Sequence, residues 1–313
     1  MNTRPLRILF AAPVWAPSRA FGGPVVAAGE LVRRLVARGT EVDVVTTTIV
    51  DLHSNPALRS SVGVVDGATV RYLSTPLRYR WMGITPTLPA ALARVSRPDV
   101  VHIFGFRDPV TTGVAAWCRI ARVPYVFEPL GMFEPRLRKV FLKRALDATS
   151  RLTAAHLVIA GPDDRHGTSE LVQRAQQDAA TAGRIHVLPV SEEPPHDLYP
   201  QADVFVLASS GESFGIVAAE AAAAGTPVVI SDRCGIAGFF HDGEALIVPY
   251  ERAAVVEAVR NVLADPDLRA QLARGGVAAA RRMSWDHVTD TQEQIYRDVA
   301  SRMAATKLST DGS

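Results

Sequence analysis

Short apolar runs rich in Val, Ile and Leu recur along the chain, and most are followed by an amphipathic stretch long enough for a helix. RILFAAP (7–13) precedes VVAAGELVRRLVARG (25–39), whose helical spacing stops at Gly39. EVDVVTT (41–47), TVRYLST (69–75), DVVHIFG (99–105) and PYVFEP (124–129) follow, with a helix expected from about Pro109 to Ala121. The second half repeats the scheme with HLVIAGP (156–162), RIHVLPV (184–190), DVFVLAS (203–209), PVVIS (227–231) and ALIVP (245–249). Continuous apolar runs suit strands buried on both faces, and alternation with helices is the pattern of βαβ units. The fold class read from this is α/β with parallel sheets. SWDHVTDTQEQIYRDVASRM (284–303) reads as a long amphipathic helix with Ser284 as its N-cap. We place that helix at 284–305 and a disordered tail at 306–313.

A chain of 313 residues is long enough for two domains with separate cores. Residues 1–150 carry 20 Lys/Arg against 10 Asp/Glu, and the rest carries 14 against 22, so the halves have opposite sign. That asymmetry separates an N-terminal domain, 1–150, from a C-terminal one, 151–283. The basic half is the better candidate for an anionic partner or membrane surface; no motif points to nucleic acid. Two cysteines, Cys118 and Cys234, exclude a disulfide framework and point to a reducing, cytoplasmic setting. No Cys/His cluster has zinc spacing. RPLRILFAAPVWAPSRA (4–20) faintly resembles a signal peptide, but Pro13 and Pro17 interrupt it and a first buried strand fits better. No run approaches the ~20 apolar residues of a membrane span.

Three places could carry chemistry. Gly22 and Gly23 lie between the first strand and the first helix, where the backbone can approach a ligand and helix amides point at it. G-x-G-x-x-G and a P-loop lysine are both absent, so a flexible turn is the alternative. His102 lies near the carboxyl end of its strand, the edge where open α/β sheets bind ligands. It is either a ligand contact, which for the family resembled below would be to sugar or acceptor, or a core histidine satisfied by a backbone carbonyl. The third place is GESFGIVAAEAAAAGTPVVIS (211–231). A helix starting at about Ser213 would leave the amides of Phe214, Gly215 and Ile216 free, an anion site by geometry and dipole. Glu212 sits in the loop ahead. Glu220 sits two turns into the helix, where a carboxylate among alanines is costly without partners. Sugar hydroxyls would serve, as would an arginine or a neighbouring loop.

The stretch SSGESFGIVAAEAAAAGTPVVIS resembles the donor-site motif of retaining glycosyltransferases of the glycogen-synthase-like group, which have the GT-B fold of two Rossmann-like domains. HLVIAGPDD, LYPQADVFVLAS, CGIAGFFHDGEALIVP and SWDHV…IY resemble its flanking segments in order, and FGGPVVAAGELVRRLVARGTEVDVVTT and DVVHIFG its N-terminal domain. The resemblance implies transfer of a hexose from a nucleotide-sugar donor to a hydroxyl acceptor, glycan or lipid-linked, with retention. Glu212 would contact donor hydroxyls and act as the catalytic residue. Phe214, Gly215 and Ile216 would hold sugar or diphosphate, Glu220 the ribose, and Gly22 and Gly23 the diphosphate. It implies no metal and no cofactor beyond the nucleotide sugar as co-substrate. Asp265–Asp267 is then a helix start.

One segment departs from that family. Only MFEPRLRKVFLKRALDATSRLTAAH (132–156) stands where relatives carry the interdomain linker, a first C-terminal strand and an Arg/Lys pair that neutralises the diphosphate. About 70–80 residues are missing against a usual domain of ~150. The C-terminal domain is thus expected to be shortened at its start. Losing two charged hydrogen bonds would cost about 3–6 kcal/mol of donor binding. Leu130, where relatives often carry His or Arg, is a further departure. A shortened, catalytically silent binding or scaffold protein is therefore the second hypothesis. The basic stretch 136–151 has two readings, a helix resting peripherally on anionic lipid at the inner membrane face or a solvated face.

Overall fold

The computed structural model describes residues 4–18, 23–50, 59–79, 82–105, 108–128, 155–160, 173, 176–179, 181–188 and 197–310. Gly22, Leu130 and the basic stretch 136–151 lie outside them. The chain forms two compact units, Met1–Glu134 with Trp285–Ser313, and Pro135–Ser284.

The first unit is built on a six-stranded sheet. β1 (Arg7–Ala11) pairs in parallel with β2 (Glu41–Thr47) and with β7 (Val100–Phe104), and β7 pairs in parallel with β8 (Tyr125–Glu128). β2 continues to β4 (Ala68–Leu73), also parallel. Successive strand residues point to opposite faces, so Ile8 and Phe10 join one core while Leu9 and Ala11 join the other. The first core includes Leu31 and Leu35 of α1 (Gly23–Ala37). The second includes Leu88 and Leu92 of α2 (Leu88–Leu92) and Val110 and Val114 of α3 (Pro109–Ala121). Burial on both faces is why these strands read as unbroken apolar runs.

Two antiparallel features stand beside the expected parallel sheets. β3 (Ser61–Val65) runs antiparallel to β4 at the sheet edge, and β5 (Leu77–Tyr79) with β6 (Met82–Ile84) forms a small antiparallel pair. Asp66 and Gly67, at φ 50° and 81°, make the two-residue turn between β3 and β4. Asp-Gly favours such positive dihedrals, whose twist matches that of a hairpin.

The last helix, α7 (Trp285–Thr310), belongs to the first unit, although some 150 residues of the second unit precede it. It runs past the expected limit at 305, because Ala304, Ala305, Lys307 and Leu308 are good helix formers and no Gly or Pro intervenes. Residues 306–310 are therefore helical, where a disordered tail was expected. Arg34 pairs with Asp286, and Arg38 with Asp290 at 2.6 Å. Exposed pairs of this kind are screened by water and salt. Tyr296, fully buried beside Phe10, contributes more to holding the helix in place.

The second unit contains a parallel pair, β9 (Leu157–Ala160) with β10 (Ile185–Leu188). It also contains a parallel three-stranded set, β11 (Phe205–Leu207), β12 (Val228–Ser231) and β13 (Leu246–Val248). Val228 and Ile230 share a core with Ala218, Ala221 and Ala222 of α4 (Ile216–Ala223), and Val229 shares one with Ala258 and Val262 of α5 (Arg252–Ala264). α6 (Pro266–Arg282) starts at Asp265, whose Oδ1 accepts from the amides of Asp267 and Leu268 at 2.9 and 3.0 Å. Asp265 is thus the helix cap the sequence suggested.

Candidate functional site

The loop leaving the carboxyl end of β11 leads into α4. That helix begins at Ile216, three residues after the expected Ser213. Gly215 is its N-cap with φ 101°, a left-handed conformation that interrupts helical dihedrals and suits only glycine without cost. Phe214 and Gly215 therefore lie in the loop, and Glu220 stands just over one turn into the helix. Among the described residues, the amides of Phe214, Gly215 and Ile216 donate to no protein acceptor. Unpaired amides at a helix start favour an anion.

A second loop, following β12, fixes this one in place. The Glu212 amide donates to the Arg233 carbonyl at 3.2 Å, and the Gly235 amide donates to the Glu212 carbonyl at 2.9 Å. The Ile236 amide donates to the Phe214 carbonyl at 2.8 Å. The two loops lie so close that a Cβ on Gly235 would fall 2.2 Å from the Ser213 carbonyl oxygen. Behind them, the Ser231 hydroxyl donates to the Ser209 carbonyl at 2.6 Å. Burial pushes the Cys234 thiol up, keeping it neutral beside Glu212. Phe214 meets Phe239 edge-on, with ring centroids 5.3 Å apart.

Glu220 is half-buried, and its partner is neither an arginine nor a loop amide. The Tyr199 hydroxyl donates to its Oε2 at 2.8 Å. Tyr199 is itself held by an edge contact with Phe205 and by the Thr226 hydroxyl, which donates to its carbonyl. Burial, followed by the neighbouring carboxylate, raises the Tyr199 phenol above its ordinary range, so it remains a donor. Oε1 of Glu220 has no protein donor among the described residues and can accept from a ligand hydroxyl.

The expected residues thus separate into two groups. Glu212, Phe214, Gly215, Ile216 and Glu220 lie together on one loop and helix of the second unit. Gly23 opens α1 in the first unit, and His102 is in that unit's β7. The His102 ring is fully buried, with Tyr296 and Glu128 on its two nitrogens, so contact with a sugar or acceptor would require it to be uncovered. Tyr199 and the Cys234–Gly235 turn were not singled out in the sequence. Among the described residues, no three His, Cys, Asp or Glu side chains converge as a metal site. None of the described helices is long and apolar enough to cross a membrane.

Residues 22–191 match the family model described as glycosyl transferase 4-like domain, and residues 135–277 the one described as glycosyl transferases group 1. The chain belongs to the glycosyl transferase 4-like family.

Relatives of this glycosyl transferase 4-like chain include the D-inositol 3-phosphate glycosyltransferase of Acidothermus cellulolyticus, 35% identical over 165 residues, or 50% of this chain and 36% of that one. The protein of the same name from Streptomyces bingchenggensis is 30% identical over 232 residues, 70% of this chain and 50% of that one. The chain thus spans half or less of the length of these curated relatives. Among solved structures, a sucrose-phosphate synthase from Thermosynechococcus elongatus has a TM-score of 0.69 at 18% identity, over 95% of this chain and 100% of that one. Anabaena HepE in complex with UDP has a TM-score of 0.69 at 13% identity, over 95% of this chain and 100% of that one. These likenesses show that the fold is GT-B.

Proposed function

We propose that this chain transfers a hexose from a nucleotide-sugar donor to a hydroxyl acceptor, with retention at the anomeric carbon. One observation carries the reading: the Gly211–Gly215 loop, pinned by three backbone hydrogen bonds, presents open amides and a carboxylate ahead of α4, and Glu220 follows within that helix. The amides of Phe214, Gly215 and Ile216 would hold sugar or diphosphate, Glu212 the sugar hydroxyls, and Oε1 of Glu220 the ribose. The second unit would carry the donor, the first the acceptor, with Gly22 and Gly23 approaching the diphosphate. The acceptor oxygen bonds to the anomeric carbon as the bond to the diphosphate breaks, and the acceptor proton passes to that leaving group. The protein's part is positioning and charge stabilisation, with no cofactor beyond the donor.

HepE has been solved with UDP and with UDP-glucose, which favours uridine donors as the first to test. The relatives' name favours a phosphorylated cyclitol among candidate acceptors, beside glycan and lipid-linked ones. Binding of the basic stretch 136–151 to an anionic membrane surface is part of the same proposal. Sedimentation with anionic vesicles, reversed by salt, would support it.

A thermal-shift titration with UDP, GDP, ADP and their sugar conjugates tests the reading. A nucleotide at 100 times its Kd should stabilise the chain by about 2.7 kcal/mol. We expect a uridine ligand to do so for the wild type and to fail for Glu220→Ala. The missing diphosphate-binding Arg/Lys segment favours the second reading, a silent binding protein. Absence of any shift at millimolar nucleotide would decide for it.

A further inference from the structure

Glu128 ends β8 at the carboxyl edge of the first unit's sheet, the edge at which parallel α/β sheets place ligands. No arginine or lysine among the described residues pairs with it. Instead its Oε2 lies 3.1 Å from His102 Nε2, and His102 Nδ1 lies 2.6 Å from the Tyr296 hydroxyl. The His102 side chain is 0% exposed, whereas that of Glu128 is 45% exposed. A file of polar groups thus runs from α7 through the core to one carboxylate at the surface.

The chemistry of the three groups orders their protons. An ionised carboxylate only accepts, so a neutral His102 ring donates from Nε2–H and leaves Nδ1 to accept from the Tyr296 hydroxyl. Burial holds the Tyr296 phenol protonated, which suits a donor. An aromatic and an aliphatic side chain could fill the same space without the cost of desolvating polar atoms. The polar file has one structural consequence that such a pair would lack: it fixes the direction of the Glu128 carboxylate. Oε1 has no protein donor among the described residues and is free to accept from a ligand.

We propose that Glu128 binds a hydroxyl of a polyol acceptor, and that His102 and Tyr296 are positioning residues that aim it. This rests on the glycosyltransferase reading and adds the first unit's share of it. The test is calorimetric titration of the full chain, first with UDP, then with myo-inositol and D-inositol 3-phosphate at saturating UDP. We expect Glu128→Ala to weaken polyol binding about ten-fold or more, the worth of a hydrogen bond to a charged group, and Glu128→Gln to weaken it less. Tyr296→Phe should weaken it a few-fold. All three should keep the wild-type Kd for UDP, and also the wild-type amide hydrogen-exchange protection of β1, β7 and β8, which a merely structural defect in the first unit would not spare. Equal polyol affinity in wild type and Glu128→Ala, or no binding of either polyol to the wild type, overturns the assignment while leaving the donor reading intact. Failure of the wild type to bind UDP overturns the donor reading itself and the assignment with it.

Discussion

At Gly235, hydrogen is the largest substituent the two site loops allow, since a Cβ would meet the Ser213 carbonyl at 2.2 Å. Gly235→Ala should therefore displace the 211–214 segment. We expect it to abolish nucleotide-dependent stabilisation in the thermal-shift assay while leaving circular dichroism unchanged. Asp108 separates two effects that usually travel together. Its carboxylate caps α3 by accepting from the Thr111 amide at 2.9 Å, and burial raises its pKa above the ordinary 3.8. Asp108→Ala should cost about 1 kcal/mol in urea titrations, as for other lost caps, whereas Asp108→Asn keeps an acceptor and removes the buried charge. A raised native pKa means the folded chain holds that proton more tightly than the unfolded one. Stability is therefore gained as pH falls through the native value towards 3.8. The advantage of Asp108→Asn at pH 7 should shrink on acidification; an advantage that grew would refute the assignment. Residue by residue, the candidate loop was legible because Glu212, Gly215 and Glu220 lie within nine positions of one another. Tyr199 was not, because its contact with Glu220 spans 21 residues and no local pattern marks it.

Among the elements, the central strands announced themselves as apolar runs, whereas β3 did not. Val62 and Val64 are exposed on an edge strand, so no buried face imposed a pattern. The Asp66–Gly67 turn was the available signal. Gly67→Ala should cost at least ~1 kcal/mol for the left-handed dihedral alone, and its Cβ would lie 2.6 Å from Val36 Cγ1. Equilibrium unfolding would measure it; a neutral result would mean the turn relaxes freely. α7 was legible as a helix but not as part of the first unit, since its amphipathic spacing names no partner. Its end was misplaced because polar residues after 305 look alike in a helix and in a tail. Tyr296→Ala should destabilise the first unit by roughly 3–5 kcal/mol, the range for deleting a large buried aromatic.

For the whole molecule, opposite charge in the two halves and the strand–helix alternation were enough to indicate two α/β units. Which residues complete each unit was settled only by contacts between distant parts of the chain. Two units with separate cores should not unfold as a single two-state system. We expect calorimetry to resolve two transitions, with UDP raising the one that belongs to the second unit. A single transition that moves as a whole would show that the units unfold together. The placement of α7 also sets a timetable. The first unit's core includes Tyr296, which is synthesised only after the entire second unit. At about 5–20 residues per second, translating residues 135–284 takes roughly 8–30 s. For that interval the nascent N-terminal sheet carries a gap where the tyrosine will sit, with Phe10 beside it. Any chaperone that held the emerging chain would have that gap to cover until the last helix is made.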